Sequence, residues 1–132
     1  MIISMARLIY TCVLTRNIER MEKFYRAVLQ LEPQGRVGYR EFPTEPGVFS
    51  LWSVDEYTQI TGADTVDPLE GGSVMLEFQV GDVDAEFARL RGSADLPIDF
   101  VLEPTTLQWG NRSIYFRDPD GNLVNLFTPV GS

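Results

Sequence analysis

The stretch WGNRSIYFRDPDGNLVNLF, Trp109 to Phe127, decides how this chain is to be read. RSIYFR and NLVNLF are strand-like runs of β-branched and aromatic residues, and Asp118-Pro119-Asp120-Gly121 separates them. The aspartate offers a side-chain acceptor, the proline presets φ near about −65°, and the glycine tolerates positive φ, which together make a tight turn. The chain therefore closes on a β-hairpin.

Working back from that hairpin, IDFVLEP is a third strand candidate. Before it, Asp82 serves as an N-cap and Val83, Phe87 and Leu90 form an apolar helical face closed by Gly92. Ahead of this helix, SVMLEFQV alternates Val74, Leu76, Phe78 and Val80 with Met75, Glu77 and Gln79. The apolar set suits a helix-covered face, and the mixed set suits a partly wet cavity.

The same order occurs once before. RLIYTCVLT, Arg7 to Thr15, reads as a strand, and Asn17 as an N-cap. Ile18, Met21, Phe24, Tyr25, Val28 and Leu29 then form an amphipathic helix ending near Leu31, with Pro33 beyond. GRVGYREF and GVFSLWSV follow as short strands joined by the turn-rich PTEPG. Asn17 and Asp82 lie 65 residues apart, and the same offset lays Tyr10 on Met75. Between the copies, Asp55 to Gly72 reads as a connector with room for one helical turn.

At 132 residues the chain is one domain in length, with a first module over about 5–60 and a second over about 72–130. A net charge of −8, with Lys23 the only lysine, repels a phosphate backbone, so nucleic acid is not an expected partner. MIISMARLIYTCVL has no basic segment ahead of its apolar residues and no small-residue cleavage site, and no run has the length of a membrane span. One cysteine, Cys12, precludes an internal disulfide and fits a reducing compartment. A cytoplasmic protein without a membrane partner is expected.

The chain contains no histidine at all. That excludes Ser/His and Cys/His nucleophile pairs, histidine-ligated zinc and the two-histidine, one-carboxylate iron site.

The closing hairpin, in its setting after a repeated strand-helix unit, resembles the last hairpin of the vicinal oxygen chelate superfamily, which includes glyoxalases, extradiol dioxygenases and bleomycin resistance proteins. NIERMEKFYRAVLQLEP is similar to the first helix of that superfamily, with Gln30 where glycine is usual, and Trp109-Gly110 resembles its PWG segment, with Gln108 replacing proline. The resemblance covers nearly the whole chain. It implies an α+β fold in which two βαβββ modules form a curved, mostly antiparallel sheet around a cleft, and it implies a homodimer.

It also implies where metal ligands would stand. The first-strand ligand falls on Tyr10, the ligand opening the second module on Met75, the last-strand glutamate on Asn125 and a further ligand on Ser50. A phenol, a thioether, an amide and a hydroxyl make a poor divalent-metal site, so no metal cofactor is expected. Glu77 shares the face of Met75. Buried in a cavity, its pKa would rise by desolvation, making it a candidate general base beside Tyr10 or an anchor for a cation. Cys12 reads as a small buried hydrophobe without the base a nucleophile needs.

Tyr10, Ser50, Trp52, Met75, Glu77, Trp109 and Asn125 are thus the candidate ligand contacts, with Tyr39 and Phe127 as further candidates for an aromatic wall. The functional expectation is a metal-independent small-molecule-binding member that sequesters an aromatic or cationic ligand. A glyoxalase-like lyase or dioxygenase, with an unconventional metal site or metal-free acid/base chemistry, stays open beside it. A module whose cleft serves a protein partner is a third reading.

Overall fold

The computed structural model describes residues 10–61 and 74–130. The chain divides into two compact units that part between Pro68 and Leu69. Each repeats the order expected from the sequence.

In the first unit, β1 (Tyr10–Thr15) leads to α1 (Ile18–Leu29), β2 (Gln34–Arg36), β3 (Tyr39–Phe42) and β4 (Val48–Ser53), followed by α2 (Val54–Thr61). The sheet order is β1-β4-β3-β2, with β1 and β4 parallel and the other pairs antiparallel. Asn17 caps α1 as read from the sequence, its side chain accepting from the Arg20 N–H at 3.1 Å. Met21, Phe24, Tyr25 and Val28 are buried, and Tyr25 packs edge-on against Phe49 and Phe42 with ring centroids 4.7 and 6.4 Å apart. Each such ring, taken fully out of water, contributes about 2–3 kcal/mol. This ties α1 to one face of the sheet.

The structure corrects three local readings. GRVGYREF is a hairpin rather than one strand: Arg36 pairs with Tyr39 across a two-residue turn, Val37-Gly38, in which Gly38 has φ +79°. The segment after Ser53 forms the eight-residue α2. Asp55 and Glu56 lie in its first turn, where carboxylates favour a helix start, and Glu56 accepts from Trp52 Nε1 at 3.0 Å. Gly92 caps its helix from an ordinary right-handed conformation, φ −83°, and needs no glycine freedom. The rest of the expected connector and Arg7 to Ile9 of the first strand lie outside the described residues.

In the second unit, β5 (Met75–Gln79) leads to α3 (Val83–Arg91), β6 (Asp99–Thr106), β7 (Asn111–Arg117) and β8 (Leu123–Pro129). The order β5-β8-β7-β6, again with one parallel pair, β5 and β8, repeats that of the first sheet. Asp82 caps α3 by accepting from the Ala85 N–H at 3.1 Å. Phe87 of α3 stacks edge-on with Phe100, and Phe100 with Phe116, so the helix covers the face of Leu76, Ile114, Phe116, Val124 and Leu126. Arg112 of β7 grips Asp84 of α3 with two hydrogen bonds, 2.7 and 3.1 Å, and this guanidinium holds the Asp84 carboxyl below its ordinary pKa.

The closing turn is built as its residues imply. Gly121 has φ +89°, and the buried Asp118 accepts from the Asp120 N–H, the Asn122 N–H and Asn122 Nδ2, each at 2.9 Å. No helix among the described residues is long and apolar enough to cross a membrane.

Candidate functional site

Strand alternation gives each sheet a second face, turned away from its own helix. In the first unit the pairings Tyr10/Val48, Cys12/Ser50 and Leu14/Trp52, then Tyr39/Trp52 and Glu41/Ser50, place all of these residues on that far face. In the second, Met75/Leu123, Glu77/Asn125 and Gln79/Phe127, then Tyr115/Asn125 and Ser113/Phe127, do the same. Tyr10 and Ser50 therefore share one face of the first sheet. Met75, Glu77 and Asn125 share one face of the second.

The registers are internally equivalent. Ser50 and Asn125 stand opposite Cys12 and Glu77, and Tyr10 and Met75 each lie two residues before those partners. The four positions singled out in the sequence are thus two matched pairs.

Ser50 and Asn125 also share an unusual state. Both are buried, 1% and 3% exposed, and neither Ser50 Oγ nor Asn125 Oδ1 has a hydrogen-bond partner. An unmet buried polar atom costs about 1–3 kcal/mol, so folded proteins keep few of them, and those few call for an explanation. Ser113 Oγ, on the far face of the second sheet, is a third such atom.

Around Ser50 the first sheet is aromatic and acidic. The Tyr39 hydroxyl donates to Glu41 Oε2 at 2.7 Å. Burial, reinforced by this bond, pushes the Tyr39 phenol up to about 12. Ser50 is near enough to offset that rise in part, although its Oγ lacks hydrogen-bonding geometry. Trp52 lies edge-on to Tyr39 with its indole N–H held by Glu56, and Arg36, paired with Glu56 at 3.3 Å, stacks over the Tyr39 ring. Trp52 is a fixed wall.

In the second sheet Asn125 Nδ2 donates to Glu77 Oε1 at 2.9 Å. Glu77 is exposed, so the burial that a general-base role presupposes is not found. Tyr10 and Met75 are exposed as well, at 51% and 43%. Cys12 is exposed rather than buried, because its strand position faces away from α1. Trp109 stands apart from these rows, in the turn between β6 and β7, and is 63% exposed.

Sequence reasoning missed Glu41 and Ser113. Both follow from pairing parity, Glu41 opposite Ser50 and Ser113 two residues from the partner of Asn125, and parity becomes legible only with the register.

The donor set can be tested against the metal that the resemblance implies. A phenol, a hydroxyl, a thioether and an amide bring no charge, and the one adjacent carboxylate, Glu77, already accepts the amide of Asn125. These residues do not fit a divalent ion. Among the described residues no group of three or more histidine, cysteine, aspartate or glutamate side chains could hold one.

Comparison with known proteins agrees with this architecture. A glyoxalase/bleomycin resistance protein/dioxygenase from Nocardioides superposes with a TM-score of 0.80 at 24% identity, covering 99% of this chain and 88% of that one. A glyoxalase/bleomycin resistance protein/dioxygenase family enzyme from Burkholderia phytofirmans gives 0.78 at 17% identity, over 94% and 99% of the two chains. A virulence protein from Salmonella typhimurium gives 0.74 at 21% identity, over 97% and 100%. At these identities the likeness is one of fold. No curated protein matches the chain. The sequence model of the glyoxalase-like domain matches residues 8–130, and with the twice-repeated βαβββ unit it makes this chain a member of the glyoxalase-like domain family, within the vicinal oxygen chelate superfamily.

Proposed function

We propose that this member binds a small molecule without a metal ion, sequestering an aromatic or cationic ligand on a sheet face turned away from its helix. One observation carries the reading. At the two equivalent positions where the resemblance expects metal ligands, Ser50 and Asn125, the chain places uncharged polar atoms that are buried and unbonded. Such atoms can orient a ligand by hydrogen bonds, but they do not compensate the dehydration of a divalent cation. The aromatic rings of Tyr39, Trp52, Tyr115 and Phe127 and the carboxylates of Glu41 and Glu77 occupy the same faces, and a net charge of −8 favours the approach of a cation.

Elemental analysis tests this. The protein is incubated with zinc, iron, nickel and manganese, desalted and measured. Metal far below one ion per chain is expected. A stoichiometric ion would overturn the reading and direct attention to lyase or dioxygenase assays.

A further inference from the structure

The orientation of the Asn125 amide carries more than its position does. A carboxylate only accepts hydrogen bonds, so beside Glu77 the amide must present its NH2 group, and the 2.9 Å bond from Nδ2 to Glu77 Oε1 is that arrangement. The reverse orientation would set Oδ1 against a carboxylate oxygen, acceptor against acceptor. Glu77 therefore pins the amide, and pinning leaves Oδ1 as the atom that is buried without a partner.

The remaining polar atoms nearby have a consistent character. Glu77 keeps its second carboxylate oxygen, again an acceptor. Ser113 Oγ, also buried and unbonded, belongs to the strand adjacent to Asn125 and lies one step along the same face, where it can accept as well as donate. Phe127 is paired with Ser113 and Tyr115 with Asn125, so two aromatic rings stand in the adjoining rows. A ligand oxygen without a proton would face the charge of Glu77 and the lone pairs of Oδ1, against which the Ser113 hydroxyl and the second Nδ2 hydrogen offer only neutral donors. A ligand N–H would satisfy Oδ1 and gain the charge of Glu77.

From this geometry we infer that the far face of the second sheet recognises a nitrogen cation with N–H donors, a protonated amine or an amidinium attached to an aromatic or apolar body. Asn125 Oδ1 accepts one N–H, Glu77 supplies the opposite charge, and Ser113 Oγ accepts or donates beside them. The inference deepens the small-molecule reading and rests on it. It narrows that reading from any aromatic or cationic ligand to one that donates hydrogen bonds at Asn125.

Three probes of one shape test it: benzamidinium, benzamide and benzoate, titrated into isotopically labelled protein. The signals followed are the Asn125 side-chain NH2 and the backbone amides of Ser113, Tyr115 and Phe127. Benzamidinium is expected to shift these signals saturably and to bind at least about tenfold tighter than benzoate, the difference one charge-assisted hydrogen bond makes. Glu77→Gln, a change at an exposed position, is expected to weaken benzamidinium by about tenfold or more. Benzoate or benzamide binding at these residues as well as benzamidinium does would overturn the inference and leave the binding reading intact. Benzamidinium that shifts none of these signals, or binds Glu77→Gln equally well, would also overturn it. The metal measurement judges the broader reading independently.

Discussion

Gln30 ends α1 in the left-handed region, at φ 56°, with its N–H bonded to the Arg26 carbonyl at 2.9 Å. Glycine reaches that region freely, whereas a residue with a Cβ is strained there. The superfamily's usual glycine at this point thus has a physical reason, and this chain forgoes it. Gln30→Gly is expected to raise the unfolding free energy by about 1 kcal/mol, read by urea denaturation. A decrease would mean that the glutamine side chain makes contacts worth more than the strain. The substitution at Gln30 was legible in the sequence, but the sign of φ was not, because a helix can end in several ways. Glu77 shows the same limit. Its place on the face of Met75 was legible from alternation, but its exposure and its bond to Asn125 depend on a strand 48 residues away.

At the scale of elements, the turn that joins β7 and β8 is organised around one side chain. Asp118 satisfies two backbone N–H groups and the Asn122 amide from a buried position, so its loss leaves the buried donors of Asn122 without these bonds. Asp118→Ala is expected to cost about 2–3 kcal/mol, measured by thermal or chemical denaturation. A cost below about 0.5 kcal/mol, the range of an ordinary surface change, would show that the turn holds without it. This element was legible because its determinants are local: an aspartate, a proline and a glycine in sequence. The β2–β3 hairpin was not, since Val37-Gly38 lacks the asparagine or aspartate that normally signals a two-residue turn. Here Gly38 alone supplies the conformation. A Cβ on it would lie within about 3 Å of the Glu56 side chain, so the turn is also shaped by α2, which the local sequence does not reveal.

At the scale of the molecule, the repeat accounts for most of what could be read in advance. Two caps 65 residues apart, Asn17 and Asp82, set the starts of α1 and α3, and the same offset aligned Tyr10 of β1 with Met75 of β5. Identities faded after the first helical turn, yet the pairing registers persist, because burial of one sheet face fixes register more strictly than it fixes residue type. We propose that the chain forms the homodimer that the resemblance implies. Sedimentation is expected to give twice the 14.9 kDa mass of the chain, and a species at the single-chain mass across the micromolar range would contradict it. Cys12, exposed on the face of the first sheet turned away from α1, is also a point of attachment. It is the only thiol in this chain, and Lys23, the only lysine, lies exposed on α1, on the other side of the same sheet. A thiol-reactive dye would therefore attach at one position of the first unit without any engineered substitution, whereas an amine-reactive dye would divide between Lys23 and the chain's α-amino group. The thiol-bound dye would report events at the face of the first sheet turned away from α1.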